Sequence, residues 1–132
     1  MRCTVLLFVS LTTFAADPKP KGFMVSPSNP EWQTLCGWLD NPTPGNWELT
    51  DKNGRWTIGV QGGFQADGEL PDFEQGPRYW KETNGSYGFG CACLKAKTEV
   101  KDGEKTIVRY TDVKVLPLTK CKTDKALPQT DR

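Results

Sequence analysis

The triplet Cys91-Ala92-Cys93 restricts the possible folds of this chain more than any other feature. It lies in a stretch whose alternation places Tyr87, Phe89, Cys91 and Cys93 on one face of a strand, and Gly88, Gly90, Ala92 and Leu94 on the other. Two cysteines held on one face of a strand are too far apart for disulfide geometry unless the backbone bends. Each therefore reaches outward, one to Cys36 and one to Cys121, and two pairings stay open. Either pairing ties the N-terminal and C-terminal segments to one central strand, with a stabilisation of about 2 to 4 kcal/mol per bridge. Zinc is the rival use of four cysteines, but its usual Cys-x-x-Cys knuckles are absent.

Disulfides require an oxidising compartment, and the first sixteen residues supply an address. Met1-Arg2 precedes an apolar run from Val5 to Phe14, followed by Ala15-Ala16, which is the order of a signal peptide. The run is short of the roughly 20 residues that span a bilayer, so no membrane span is expected. Cys3 lies before the apolar run and is expected to leave with the leader, placing the rest in the periplasm or outside the cell. Residues 17–30 hold four prolines and no periodicity, as expected of a linker. The ordered domain is expected over 31–121, with a polar tail over 122–132.

Within that domain the signals are those of strands and tight turns. Trp47 and Leu49 alternate with polar neighbours, Asn53-Gly54 supplies a hairpin turn, and Trp56, Ile58 and Val60 alternate again. A second hairpin runs from Tyr87 to Lys101, turns at Asp102-Gly103 and returns through Ile107 to Thr111, and Val113 to Leu118 adds a short strand. The flat Gly and Ala face of the Tyr87–Leu94 strand allows close approach of a backbone or an aromatic ring. Residues 30–40, with Trp32, Leu35 and Leu39, form the one stretch compatible with a short helical turn. The expectation is a mainly β, small single-domain twisted sheet or half-open barrel of about five strands, stapled by two disulfides.

The chain has no histidine, which excludes Ser-His and Cys-His nucleophiles and imidazole metal sites. Its 17 basic and 16 acidic side chains give no dominant field for nucleic acid. Charge is uneven along the chain, with net −4 over 17–94 and net +4 over 95–132. Four acids, Asp67, Glu69, Asp72 and Glu74, share one Gly and Pro loop, but their spacing is not that of an EF-hand, so a solvated loop is expected and no cofactor or metal is called for. With Glu48 as a distant second acid, these residues are the sole basis for an alternative reading as a carboxylate-dependent hydrolase of envelope polysaccharide.

The segment Asn41-Pro-Thr-Pro-Gly-Asn46 is stiffened by its prolines. Asn41, Thr43 and Asn46, with Trp38, form a candidate polar and aromatic binding ledge, and Trp80 is a further candidate for stacking on a sugar or a protein partner. The structural alternative is a connecting loop whose Asn and Thr side chains bond local backbone. Trp32, Trp38 and Trp80 all fall in segments without strand periodicity, whereas Trp47 and Trp56 fit the inward pattern of the first hairpin.

The blocks Cys36-Gly-Trp38, Asn41-Pro-Thr-Pro, Gly54-Arg-Trp-Thr-Ile-Gly, Gly88-Phe-Gly-Cys-Ala-Cys93 and Leu116-Pro-Leu-Thr-Lys-Cys121 occur in order. With them the chain resembles a family of short exported bacterial proteins, domain-of-unknown-function family 4087, over about residues 35–128. The resemblance implies a periplasmic or secreted setting and no particular chemistry. The leading expectation is a monomeric, non-enzymatic binding or inhibitory module for a protein or glycan of the cell envelope. A purely structural envelope protein is a third expectation.

Overall fold

The computed structural model describes residues 29–73 and 76–129. The leader, Cys3, the linker as far as residue 28, and Glu74 lie outside them. Six strands follow in order: β1 (Asn29–Thr43), β2 (Asn46–Asp51), β3 (Gly54–Gly59), β4 (Trp80–Asn84), β5 (Tyr87–Lys101) and β6 (Glu104–Leu116), and then one short helix, α1 (Leu118–Thr123). They form a single mainly β sheet in the order β1-β2-β3-β6-β5-β4, and β1 also pairs with β5. The pairing thus curls into a partial ring. Its weakest seam is the parallel contact of β3 with β6 at Thr57 and Thr106. No helix among the described residues is long and apolar enough to cross a membrane.

Strand β5 organises the sheet. One of its edges pairs with β1, and the other pairs first with β4 and then with β6. The glycine face admits this crowding: a Cβ on Gly88 would fall 1.9 Å from the Lys81 carbonyl oxygen, and one on Gly90 would fall 3.0 Å from the Trp80 ring. Both hairpin turns lie at the expected places, after Asp51 and after Lys101. At the first, the buried carboxylate of Asp51 accepts from the Asn53 amide at 2.8 Å and from the Trp56 indole at 3.0 Å, fixing turn and core together.

Two expectations of local structure need correction. Residues 30–40 are not helical but belong to β1, paired with β5 from Gln33 to Asn41. Leu35 and Leu39 are four apart, and four is compatible with both a helical and an alternating period, so their spacing alone could not decide. Gly37 serves the strand pairing: a Cβ at this position would lie 1.9 Å from the Thr50 carbonyl oxygen, so its absence lets β1 and β2 close on each other. The six strands agree with the expected mainly β sheet of about five; β1 and β4, the latter almost wholly exposed and without alternation, are the two that local patterns do not show. Finally, Val113–Leu116 is the end of β6 rather than a separate strand, set off by a bulge where Asp112 adopts φ 52°.

Two apolar clusters occupy opposite faces of β5. Inside the curl, Leu35, Leu39, Leu49, Trp56, Ile58, Leu94, Ile107 and Tyr110 make the main core with Ala92 and Ala96. Outside it, α1 and Leu127 cover Trp38, Phe89 and Cys91. The disulfides are Cys36–Cys93, which clasps β1 to β5, and Cys91–Cys121, which clasps α1 to β5. Past Cys121 the chain remains part of this packing, with Leu127 buried and the Gln129 amide donating to the Cys121 carbonyl at 3.1 Å.

Candidate functional site

The ledge read from the sequence is a structural knot. Trp38 is 2% exposed and meets Phe89 edge to face, at 5.6 Å between ring centres. The alternation of β1 turns it outward from the main core, and α1 then covers it, so this candidate for the ledge is sealed by a helix far along the chain. Asn41 is buried, and its amide donates to the carbonyls of Thr43 at 2.9 Å and Asn46 at 2.7 Å. Asn46 donates to the Thr43 hydroxyl and accepts from the Gln61 amide at 2.8 Å. Gln65 completes the knot by donating to the carbonyls of Gly45 and Val60. The three polar candidates therefore join the β1–β2 turn to the segment after β3, and their bonding groups turn inward.

Trp80 is placed differently. Half-buried at the start of β4, it donates its indole N–H to the Ser86 carbonyl at 3.0 Å. Its ring lies 4.9 Å from that of Phe73 and 6.2 Å from that of Trp47, and Phe73 lies 5.9 Å from Trp47. This stack runs from the edge of the core to one wall of an open cleft of about 660 Å³, where Phe73, Pro77, Trp80, Lys81 and Glu82 face Leu118 and Lys122 of α1. The Leu118 amide bonds the Arg78 carbonyl at 3.0 Å, fixing the helix against the segment that carries Trp80. Of these lining residues, sequence reasoning singled out Trp80 as a candidate. Leu118 is 38 residues away from it, and Phe73, though only seven residues away, lies in an irregular segment with no local signal of a shared wall.

Of the acids that carry the hydrolase alternative, Glu74 lies outside the described residues, and Glu48 and Asp67 are held apart in separate ion pairs. Glu48 pairs with Arg55 at 3.4 Å, and Asp67 pairs with Arg109 at 2.8 Å. The Asp67 segment lies along β6, with the Tyr110 amide donating to the Asp67 carbonyl at 2.9 Å. Burial, then the nearby Glu69 and Asp67 carboxylates, hold the Tyr110 phenol above its ordinary pKa of 10.0. No group of three or more acidic or cysteine side chains suited to a metal ion stands together among the described residues.

A second open surface lies on the outer face of β1, β5 and β6, beyond the reach of α1. Trp32 is 44% exposed there, with the Lys97 ammonium 5.2 Å from its ring centre. Beside it, Thr34, Cys93, Lys95, Asp112 and Lys114 line a groove of about 650 Å³.

Comparison with known proteins gives one match, to a family whose description is Protein of unknown function (DUF4087), over residues 17–128. No curated protein and no solved structure matches the chain.

Proposed function

We propose, from the premise that this chain belongs to the family Protein of unknown function (DUF4087), that it is an exported, non-enzymatic binding module for an acidic glycan of the bacterial cell envelope. The observation that carries this reading is the aromatic stack of Trp47, Phe73 and Trp80 ending in a cleft that Lys81 and Lys122 also line. Aromatic rings present apolar faces to the C–H faces of sugars, and ammonium groups nearby favour glycans that carry carboxylates. A cleft of about 660 Å³ is within the size range of small-ligand sites. Export to the periplasm is supported by the leader pattern and by two disulfides, which persist in oxidising compartments.

Binding rather than hydrolysis is favoured by the placement of the acids. Glycoside hydrolysis needs two carboxyl groups flanking the scissile bond. Glu82 lines the cleft, whereas Glu48 and Asp67 are held by guanidinium groups elsewhere. Titration with soluble, carboxylate-bearing peptidoglycan fragments, followed by tryptophan fluorescence, tests the reading. Saturable quenching is expected, with affinity falling about tenfold or more in the double variant K81E/K122E and weakening as salt rises. No response in the wild-type protein, or equal affinity in the double variant, would overturn it.

A further inference from the structure

The two disulfides differ sharply in environment. Cys91 and Cys121 are each 2% exposed, beneath α1 and among Trp38, Phe89, Leu118 and Leu127. Cys36, by contrast, is exposed, and Cys93 is half-buried on the wall of the outer groove. The Cys36–Cys93 bridge joins directly paired residues of β1 and β5, where the outer sheet face is uncovered.

Charged groups surround Cys93, which lines the groove with Lys95, Asp112 and Lys114. Lys114 of β6 pairs in register with Cys93, and directly opposed residues of neighbouring strands project on the same face. Lys95, the next residue on that face of β5, is engaged by Asp112 at 3.1 Å across the β6 bulge. The cation opposite Cys93 is thus Lys114, and a nearby cation makes a cysteine sulfur a better leaving thiolate.

We propose that Cys36–Cys93 is a thiol–disulfide exchange site that reacts with external dithiols, including those of protein oxidoreductases, while Cys91–Cys121 stays closed. A thiolate of the dithiol attacks Cys36 Sγ, forming a mixed disulfide. The Cys36–Cys93 bond breaks, and its electron pair leaves on Cys93 Sγ as a thiolate facing Lys114. The second thiol of the reagent, once deprotonated, attacks its own sulfur in the mixed disulfide and expels Cys36 as a thiolate. The dithiol is oxidised to a disulfide, and its two protons and two electrons end on the two cysteines. The site is distinct from the Trp80 cleft and does not depend on glycan binding.

The test uses the oxidised, folded protein with any pre-existing free thiol first blocked by iodoacetamide. Brief treatment with dithiothreitol without denaturant, N-ethylmaleimide capture and peptide mapping should label Cys36 and Cys93 about tenfold or more faster than Cys91 and Cys121. With glutathione, a monothiol that cannot resolve its own adduct, the mixed disulfide should map to Cys36. If Lys114 makes the leaving thiol about tenfold more acidic, transmitted with an exponent near one half, K114E should slow reduction about threefold. Lys101→Glu, at the far end of β5, should leave the rate unchanged. Equal labelling of all four cysteines, or earlier labelling of Cys91 and Cys121, overturns the proposal. So does a glutathione adduct on Cys93 or an unchanged rate in K114E.

Discussion

Replacing Cys91 and Cys121 together by Ala should release α1 from the sheet while leaving the partial ring closed. The bridge spans 30 residues of sequence, and the chain-entropy relation then gives a loss of about 3.6 kcal/mol at 25 °C. The other bridge spans residues 36–93, and the two loops share no more than residues 91–93, so the cross-link that remains constrains little of the same segment. Removing two buried sulfurs from the cluster of Trp38, Phe89, Leu118 and Leu127 adds a packing loss of about 1 kcal/mol or more. What is left on α1 is weak: six residues are far below the length at which a helix persists unaided. Urea unfolding followed by tryptophan fluorescence measures the loss, and hydrogen exchange locates it. Amides 118–127 should lose protection well before those of β5 and β6, and Trp38 should become accessible to a quencher. A loss under about 1 kcal/mol would refute the reasoning, as would exchange that rises evenly over the whole sheet.

Three further outcomes follow from contacts described above. Asn41→Ala removes a buried amide that donates to the part-buried turn carbonyls of Thr43 and Asn46 and should cost about 1 to 3 kcal/mol in urea unfolding, yet leave affinity for the glycan fragments unchanged. Gly37→Ala must push the Thr50 carbonyl away from β1 and should cost about 1 to 3 kcal/mol or more, detected as a lower melting temperature and faster exchange along β2. The Tyr110 phenol is neutral-favoured in the fold, so its contribution is intact below the ordinary tyrosine pKa of 10.0 and is lost as pH climbs from there through the raised folded value. Tyr110→Phe should therefore flatten the alkaline decline in stability, and the titration followed by absorbance at 295 nm should lose a phenol that ionises above the ordinary value of 10.0.

Legibility in the sequence follows how local each determinant is. The β2–β3 and β5–β6 hairpins are written in Asn53-Gly54 and Asp102-Gly103 with alternation on both sides, all within about a dozen residues. Strand β1 is not, because Leu35 and Leu39 fit either period and the decision comes from pairing with β5, more than fifty residues away. Strand β4 leaves no trace because nearly every side chain on it faces water. The same rule governs the site. Trp80 could be suspected as an aromatic without a strand pattern, but its wall depends on Phe73 and Leu118. The burial of Trp38 is equally non-local: the helix that covers it starts eighty residues later.

The outer face of β5 explains why one strand can serve two bridges with opposite fates. Its odd positions run Tyr87, Phe89, Cys91, Cys93, Lys95, Lys97, from aromatic through sulfur to cationic, so the face changes character at the Cys-Ala-Cys triplet. An apolar half attracts a cover, and α1 with Leu127 provides it, locked in place by Cys121. A cationic half repels apolar cover and stays wet, so the second bridge beside it faces solvent. The excess positive charge over residues 95–132 is consistent with this: Lys95, Lys97 and Lys114 line or flank the open half, where Lys97 lies over Trp32 and Lys95 pairs with Asp112. Moving the triplet by two residues toward Lys97 would place both bridges on the open half and leave α1 without its anchor.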